Sequence, residues 1–154
     1  MPTPKQFTVS CYVLDQGRVL LQRQEEIFPH WLWDAPGSEV EEGQSKEAAM
    51  IEYLGKVADI GPRDYKLMAE LDIVFERRPD LNHYRYVYVA PRFGGLVPSD
   101  NKRVRWFDIK GLPWDDMCPA DRYWLPAVLR QNYFVKLRLF FGPEGQFLRL
   151  ENLK

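Results

Sequence analysis

Carboxylates are the side chains of this sequence that could carry out acid–base or metal-dependent chemistry. Only two histidines are present, His30 and His83, so acid–base catalysis is expected to depend on Asp and Glu. Three glutamates lie close together, Glu39, Glu41 and Glu42. They could hold a metal ion just before the first helix, but acids near a helix N-terminus also interact favourably with the helix dipole. We favour the second interpretation, because acids are common at helix starts for that reason alone.

The composition argues against several other kinds of chemistry and partner. Cys11 and Cys118 are far apart, and neither belongs to a CxxC motif or a Cys/His cluster, so both are expected to be reduced thiols. The 21 basic and 22 acidic residues leave a net charge of −1, which gives no general attraction to polymeric nucleic acid or to a membrane surface. No apolar stretch is long enough to span a membrane. We expect a cytoplasmic protein with a single domain over residues 1–154.

Two strands, a turn-rich segment and a helix are predicted for the first part of the chain. Apolar residues alternate with more polar ones over residues 7–13, and the turn at residues 15–17 predicts a hairpin with the strand that follows. The segment 24–43 has no sustained period and is predicted to be a long loop. Ser45 is expected to cap an amphipathic helix that runs to about Val57.

Further strands, a second helix and a final hairpin are predicted for the rest of the chain. The second helix is expected to begin at Ala120-Asp121. Three alternating tyrosines in the segment 83–90 are expected to share one face of a sheet. The succession of strands, helix, strands, helix and hairpin favours an α/β fold in which a mixed sheet lies between helices, an α-β-α sandwich. The predicted strands are residues 66–77, 83–90, 103–108, 134–141 and 146–150.

Several segments carry a resemblance to a known family. The segment 33–44, which reads WDAPGSEVEEGQ, is similar to the entry of a Nudix box, where a Gly-Gly turn is followed by Val-Glu and then Gly-Glu. The stretch 116–134 resembles the purine-binding turn and last helix of the mammalian MutT-type oxidised purine nucleoside triphosphatases, and Val74-Phe75-Glu76, Ser99-Asp100 and Trp106-Phe107 fall at matching intervals. The resemblance implies a Nudix fold and a purine nucleoside phosphate as ligand.

The resemblance also implies a magnesium site, which this sequence alters. In the family, three glutamates on the helix after the Gly-Glu turn bind the Mg²⁺ ions that activate water and neutralise the polyphosphate. Two alignments are open: the ligand positions hold either Glu52, Gly55 and Lys56 or Tyr53, Lys56 and Val57. Lys56 occupies a ligand position in both alignments, and an ammonium group repels a metal ion and offers no lone pair.

Glu52 and Glu42 are therefore the candidate metal ligands, and Glu52 is the candidate catalytic residue, with Mg²⁺ as the cofactor if the protein is active. The spacing of Glu52 and Lys56 is equally typical of an exposed i,i+4 ion pair, which is the interpretation we favour. A further glutamate of the family aligns with Asn101, whose carbonyl oxygen could bind a metal weakly but could not act as a base.

The family also provides expectations for the residues that contact the purine. Asp121 matches one of two adjacent aspartates that read the base, the other being Ala120 here, and its alternative role is to cap the last helix. Asp34 replaces an asparagine and, when ionised, can accept but not donate hydrogen bonds, so base preference should differ. The residues expected to bind substrate are Thr8, Asp34, Phe75, Asp121 and Trp124.

The stacking surface of the expected site is altered as well. Cys118 replaces an aromatic residue that stacks on the purine, so contact area is expected to be lost. Phe28, Trp31 or Trp33 could compensate from the long loop, although loop aromatics more often serve packing. Residues such as Thr8 on an alternating strand are core residues by default.

Three functions are open at this point. The favoured one is a nucleotide-binding Nudix protein that has lost most or all of its diphosphohydrolase activity. The second is an active Mg²⁺-dependent hydrolase that releases pyrophosphate from a purine nucleoside triphosphate, with Glu52 and relocated carboxylates from the turn 39–42 as ligands. The third is a protein-interaction module that acts through a protein partner and whose cleft binds no nucleotide.

Overall fold

The secondary structure follows the predicted succession of strands, helix, strands, helix and hairpin. A computed structural model describes residues 6–24 and 28–153, and these contain nine strands and two α-helices. The helices are α1 (Lys46–Ala58) and α2 (Asp121–Arg130). The strands are β1 (Gln6–Asp15), β2 (Arg18–Arg23), β3 (Trp33–Asp34), β4 (Gly37–Glu39), β5 (Gly61–Phe75), β6 (His83–Gly94), β7 (Val104–Asp108), β8 (Val135–Phe141) and β9 (Phe147–Asn152).

The strands form one mixed sheet, as predicted. Seven of them follow the order β3-β2-β1-β6-β5-β8-β9, while β4 pairs with β1 and β7 pairs with β2. The pairs β1–β6 and β5–β8 are parallel, and the other pairs are antiparallel. Gln16 and Gly17, which connect β1 to β2, both have positive φ, as a two-residue hairpin turn requires. The predicted first hairpin is therefore confirmed.

Each helix covers one face of this sheet. Met50 and Leu54 of α1 belong to the same buried cluster as Val9 of β1. On the opposite face, the ring of Tyr12 in β1 meets Trp124 of α2 at 6.4 Å between ring centroids. Alternate residues of a strand point to opposite faces, so β1 contributes to both clusters. The predicted α-β-α sandwich is confirmed.

The start of α1 agrees with its sequence signals. Ser45 Oγ accepts a hydrogen bond from the backbone N–H of Ala48 at 3.0 Å, which is the expected N-cap. The helix ends at Ala58, one residue later than predicted, and Asp59 follows in a left-handed conformation. Neither α1 nor any other helix of the described residues is long and apolar enough to cross a membrane.

The predicted long loop at residues 24–43 contains two short strands, so that prediction is wrong in part. With two and three residues, β3 and β4 are too short to show an alternating pattern in the sequence. Tertiary pairing produces them, because β3 adds to β2 and β4 adds to β1. A Cβ atom on Gly37 would lie 2.7 Å from the carbonyl oxygen of Val9, so only glycine allows β4 to approach β1 this closely.

Candidate ligand-binding site

A cavity of about 380 Å³ opens on the α2 side of the sheet. Its volume falls within the range of small-molecule sites, towards the low end. Apolar walls come from β5, β8 and the segment after β2: Phe28, Trp31, Leu71, Ile73, Phe75, Leu139 and Phe141. Polar side chains from β1, β3, β6 and the start of α2 also reach the cavity: Thr8, Ser10, Asp34, Arg85 and Asp121.

Four of the five residues expected to bind substrate lie on the walls of this cavity: Thr8, Asp34, Phe75 and Asp121. The fifth, Trp124, does not line it and is 1% exposed in the core beneath α2. The loop aromatics Phe28 and Trp31 are part of the wall, whereas Trp33 is buried in the core. The role of each of these residues in ligand binding stays a prediction.

Asp121 is a buried carboxyl group whose protonation differs from that of an ordinary aspartate. Asp121 is the first residue of α2, and Ala120 occupies the N-cap position without a side-chain hydrogen bond. The alternative prediction, that Asp121 caps this helix, is therefore wrong. Burial raises its pKa to about 8, and the negative charge of Asp34 adds to this, against a smaller opposing effect of Arg85. At neutral pH the group is therefore mainly uncharged and can donate one hydrogen bond as well as accept.

A buried ion pair lies beside Asp121. Arg85 Nη2 donates to Asp34 Oδ1 at 2.9 Å, and Arg85 Nε donates to Ser10 Oγ at 2.8 Å. The two charged side chains are 11% and 19% exposed, respectively. Burial is the largest single effect and acts to lower the pKa of Arg85, but the charge and hydrogen bond of Asp34, together with the nearby Tyr12 and Asp121, outweigh it and the pKa is raised. The pair fixes the Asp34 carboxylate, which also accepts from the N–H of Ala35 at 2.7 Å.

Four buried polar atoms on this side of the sheet have no partner at hydrogen-bond geometry within the described part of the chain, although the side chains of Trp124 and Cys118 lie close enough to Asp121 to act against the rise in its pKa. The four atoms are Thr8 Oγ1, Tyr12 Oη, Asp121 Oδ2 and Trp124 Nε1. Leaving a buried polar group unpaired costs about 1–3 kcal/mol, so such groups are rare unless a bound molecule satisfies them. Thr8 and Asp121 line the cavity itself, which makes it the candidate ligand site.

The exposed surface of α1 is organised differently. Lys56 Nζ lies 3.3 Å from Glu52 Oε1, and these side chains are 71% and 59% exposed. Gln44 Nε2 donates to the other oxygen of Glu52 at 3.3 Å. The predicted i,i+4 ion pair is confirmed. Tyr53, the ligand position of the other alignment, shares hydrogen bonds of 2.7 and 3.0 Å with the side chain of Gln22.

The described side chains around α1 form no cluster of potential metal ligands. Over residues 6–24 and 28–153, no three His, Cys, Asp or Glu side chains are grouped closely enough to hold a metal ion. Glu39 lines the rim of the cavity, while Glu41 and Glu42 are exposed on the turn before α1. Asn101 Oδ1 accepts from two backbone N–H groups of its own loop, at 2.7 and 3.0 Å, so it serves the turn before β7.

Arg85, the central cation of the cavity, is not among the residues predicted from the sequence. One signal was available: Arg85 alternates with the tyrosines of β6, which share one face of the sheet as predicted, and the structure shows that this is the face covered by α1. An arginine between them must point to the α2 face. Its neighbour His83 also lines the cavity, and burial lowers the pKa of that imidazole, so it is mainly neutral at pH 7.

The sandwich, the turn before α1 and the cavity on the α2 face define a Nudix-type protein. Residues 4–128 match the family model of the NUDIX domain, and the chain belongs to this family. Hydrolases of the family generally use a divalent metal ion such as Mg²⁺ and act on small nucleotide substrates.

Relatives and solved structures agree with this assignment. The chain is 25% identical over 134 residues to the oxidized purine nucleoside triphosphate hydrolase of Mus musculus, covering 87% of this chain and 85% of that protein. It is 28% identical over 139 residues to the protein of the same name in Danio rerio, covering 84% and 83%. Its fold is similar to the crystal structure of the mutator MutT protein from Bacillus halodurans, with a TM-score of 0.82, 18% identity and coverage of 95% and 96%. The resemblance to MutT-type Nudix proteins is confirmed.

Proposed function

We propose that this Nudix protein binds a purine nucleoside phosphate in the α2-side cavity and hydrolyses it weakly or not at all. The observation that supports binding is Asp121, a buried and mainly uncharged carboxyl group whose Oδ2 has no partner in the described residues. A folded protein retains such a group at a cost, and a ligand that hydrogen-bonds to it removes that cost.

The cavity suits the edge and faces of a purine. A protonated Asp121 presents a donor and an acceptor, and the hydroxyl of Thr8 presents both as well. Purine edges carry donors and acceptors side by side, which such a pair of groups can match. Phe28 and Phe75 supply ring surfaces, and their centroids are 6.4 Å apart. The names of the mouse and zebrafish relatives support an oxidised purine as the base.

The second half of the proposal, weak or absent hydrolysis, is supported by the surface of α1. Release of pyrophosphate requires an activated water and neutralisation of a highly charged leaving group, which several carboxylates and a divalent ion usually supply. Here Glu52 is paired with Lys56, and Tyr53 and Val57 offer no carboxylate. Lys56 could attract phosphate but cannot activate water while it is protonated.

Thermal and chemical unfolding in the presence of nucleotides tests the binding half. A purine nucleotide at 100 times its Kd should raise the free energy of unfolding by about 2.7 kcal/mol. We expect a shift with at least one oxidised purine nucleotide, and a tenfold weaker affinity in Asp121→Ala should reduce it to about 1.4 kcal/mol at the same concentration. If no purine nucleotide stabilises the protein, nucleotide binding is ruled out at useful affinity, and a protein-interaction role becomes the better account.

A hydrolysis assay with Mg²⁺ tests the other half. We expect pyrophosphate release from oxidised purine nucleoside triphosphates to stay at the background rate. Turnover that requires Mg²⁺ and disappears in Glu52→Gln would instead show an active enzyme with relocated ligands. Glu39, which lines the cavity rim, would then be the first additional ligand to test.

A further inference from the structure

The strand β9 lies at one edge of the sheet, and no other described strand pairs with its outer side. Leu153 N–H donates to the carbonyl oxygen of Lys136 at 2.8 Å, so these two residues form a hydrogen-bonded pair of the β8–β9 ladder. Hydrogen-bonded and non-hydrogen-bonded pairs alternate along an antiparallel ladder, which makes Leu139–Leu150 a non-hydrogen-bonded pair. The backbone N–H and C=O of Leu150 therefore point away from β8, where a further strand could bind them.

The residues on either side of Leu150 carry opposite charges. Arg149 and Glu151 are both exposed, and each has a single ion pair within the chain. Arg149 Nη1 lies 3.3 Å from Glu76, and Glu151 Oε2 lies 3.4 Å from Arg138. Exposed pairs of this kind contribute little to stability, so both side chains can adjust to a new partner at low cost.

A second copy of β9 matches this pattern when it runs antiparallel with Leu150 on the two-fold axis. In that register Leu150 and its symmetry mate form a hydrogen-bonded pair, and Arg149 faces Glu151 of the second copy in a non-hydrogen-bonded pair, where side chains are closest. Moving the axis by one residue places Arg149 opposite Arg149, or Glu151 opposite Glu151. Like charges directly opposite each other are destabilising, so the charges favour the register centred on Leu150.

The same register continues a row of alternating charges across the sheet. Asp72, Arg138 and Glu151 are cross-strand neighbours on β5, β8 and β9. Arg138 Nε donates to Asp72 at 3.0 Å, and Arg138 Nη1 donates to Glu151 at 3.4 Å. Arg149 of the second copy would take the next position in this row, beside Glu151. Opposite charges in such cross-strand positions stabilise the pairing of strands.

Exposed apolar side chains lie beside the same edge. Leu148 and Leu150 are 43% and 39% exposed, and Phe134, which directly precedes β8, is 49% exposed. Leu150 is opposite the cavity residue Leu139, so it lies on the α2 side of the sheet, and its charged neighbours lie on the other side. A second copy would thus cover apolar surface on one side and pair charges on the other.

We propose that β9 is a self-association surface through which two copies of this chain join their sheets, with Leu150 on the two-fold axis. The partner is a second copy because the charge pattern of β9 is complementary to itself. The register shift between Phe140 and Phe141 leaves Leu148 as an extra residue, so regular pairing is limited to the last residues of β9. Such a short interface predicts a weak dimer with a Kd of about 10–100 μM.

Sedimentation equilibrium of the full chain, from about 1 μM to about 1 mM, measures this association. Leu150→Pro removes the outward N–H, which proline tolerates on an edge strand, and should weaken the dimer at least about tenfold. The matched control is Leu150→Val, which keeps the N–H and should stay within about threefold of the native chain. A native chain that is monomeric over the whole range would overturn the proposal, and so would a dimer of native affinity in Leu150→Pro.

Charge reversal provides a second test, which also applies if proline unfolds the chain. Arg149→Glu and Glu151→Arg each create two like-charge pairs across the axis and should weaken self-association about tenfold. A mixture of these two variants restores both opposite-charge pairs, so the heterodimer should form with nearly native affinity. The control is Arg92→Glu on β6, where the arginine pairs with Asp64, and its effect should stay within about twofold. Self-association unaffected by either β9 variant, or a heterodimer no tighter than the two homodimers, would contradict pairing through β9.

Discussion

The α2-side cavity and the exposed surface of α1 differ in whether their polar side chains have hydrogen-bond or ion-pair partners. In the cavity, Thr8 and Asp121 are buried with atoms that have no partner among the described residues. On α1, Glu52 has both Lys56 and Gln44 as partners although it is exposed to water. Buried polar groups without partners are costly and so favour a site where a ligand supplies the missing hydrogen bonds. Exposed charges are already solvated by water and indicate no ligand. The comparison supports the proposal that this fold binds a ligand in the cavity and does not support catalysis on α1.

Ion pairs in the two regions also differ in how much they contribute to the free energy of unfolding. An exposed ion pair such as Glu52–Lys56 contributes about 0–1 kcal/mol to stability. Breaking a buried pair by removing one partner costs about 3–5 kcal/mol, because it leaves an uncompensated charge in the interior. Substitutions in the cavity should therefore have large effects, and those on α1 small ones.

The largest effect is expected from Arg85→Met. This change leaves the Asp34 carboxylate buried without its cation and should lower the free energy of unfolding by about 3 kcal/mol, measured by urea denaturation. The control is Arg85→Met combined with Asp34→Leu, which removes both charges and should recover much of the loss. A cost below about 1 kcal/mol for the single change would mean that water solvates the pair and that the cavity is not dry.

Stability should depend on pH through Asp121. The pKa of an aspartate in the unfolded chain is about 3.9, and burial raises it to about 8 in the folded protein. Between these values the folded state binds more protons, so the contribution of Asp121 to stability is greatest below about pH 4 and falls as pH rises to about 8. We expect a loss of about 3–4 kcal/mol from pH 5 to pH 8 relative to Asp121→Asn, which cannot titrate. Parallel pH profiles of the two proteins would show that Asp121 does not have this raised pKa.

Ligand affinity should fall about tenfold in Asp121→Ala. The substitution removes the donor and the acceptor that we assign to the purine edge. Asp121→Asn keeps one donor and one acceptor of similar shape and should stay within a few-fold of the native protein. Calorimetry with the best purine ligand measures both. Equal affinity of native protein and Asp121→Ala would place the base elsewhere.

The smallest effect is expected from Glu52→Gln on α1. Its stability should change by less than about 0.5 kcal/mol, and ligand affinity should not change, because the ion pair is exposed. Glu47→Gln is the matched change on the same helix, where the carboxylate accepts a hydrogen bond of 2.8 Å from Tyr88 Oη. The Glu47 substitution should cost about 1 kcal/mol. A larger loss of stability in Glu52→Gln than in Glu47→Gln would contradict this prediction.

Much of the fold could be predicted because its signals are local. The Ser45 cap, the stripe of α1 and the Gln16-Gly17 turn depend on residues within a few positions of one another. The short strands β3 and β4 could not be predicted, since they exist through pairing with β1 and β2 and have no pattern of their own.

The candidate site likewise contains features that no local sequence pattern could predict. Arg85 and Asp34 are 51 residues apart, so no local pattern reports their ion pair. The family resemblance indicated Thr8, Asp34, Phe75 and Asp121, all of which reach the cavity, but it could not show that Asp121 would be mainly uncharged. That property comes from burial and from the neighbouring carboxylate, which only the tertiary structure brings together.

The missing side chain at Gly37 has a mechanical consequence for the cavity. A methyl group there would collide with Val9 and Ser10 and force β4 away from β1. Ser38 and Glu39, which follow on β4 and line the rim, would move with the strand, whereas Asp121 belongs to α2 and would stay. The rim of the cavity thus belongs to β4, and Asp121 belongs to α2. Because Gly37 has no side chain, β4 can pack close to β1, and this close packing limits the width of the entrance.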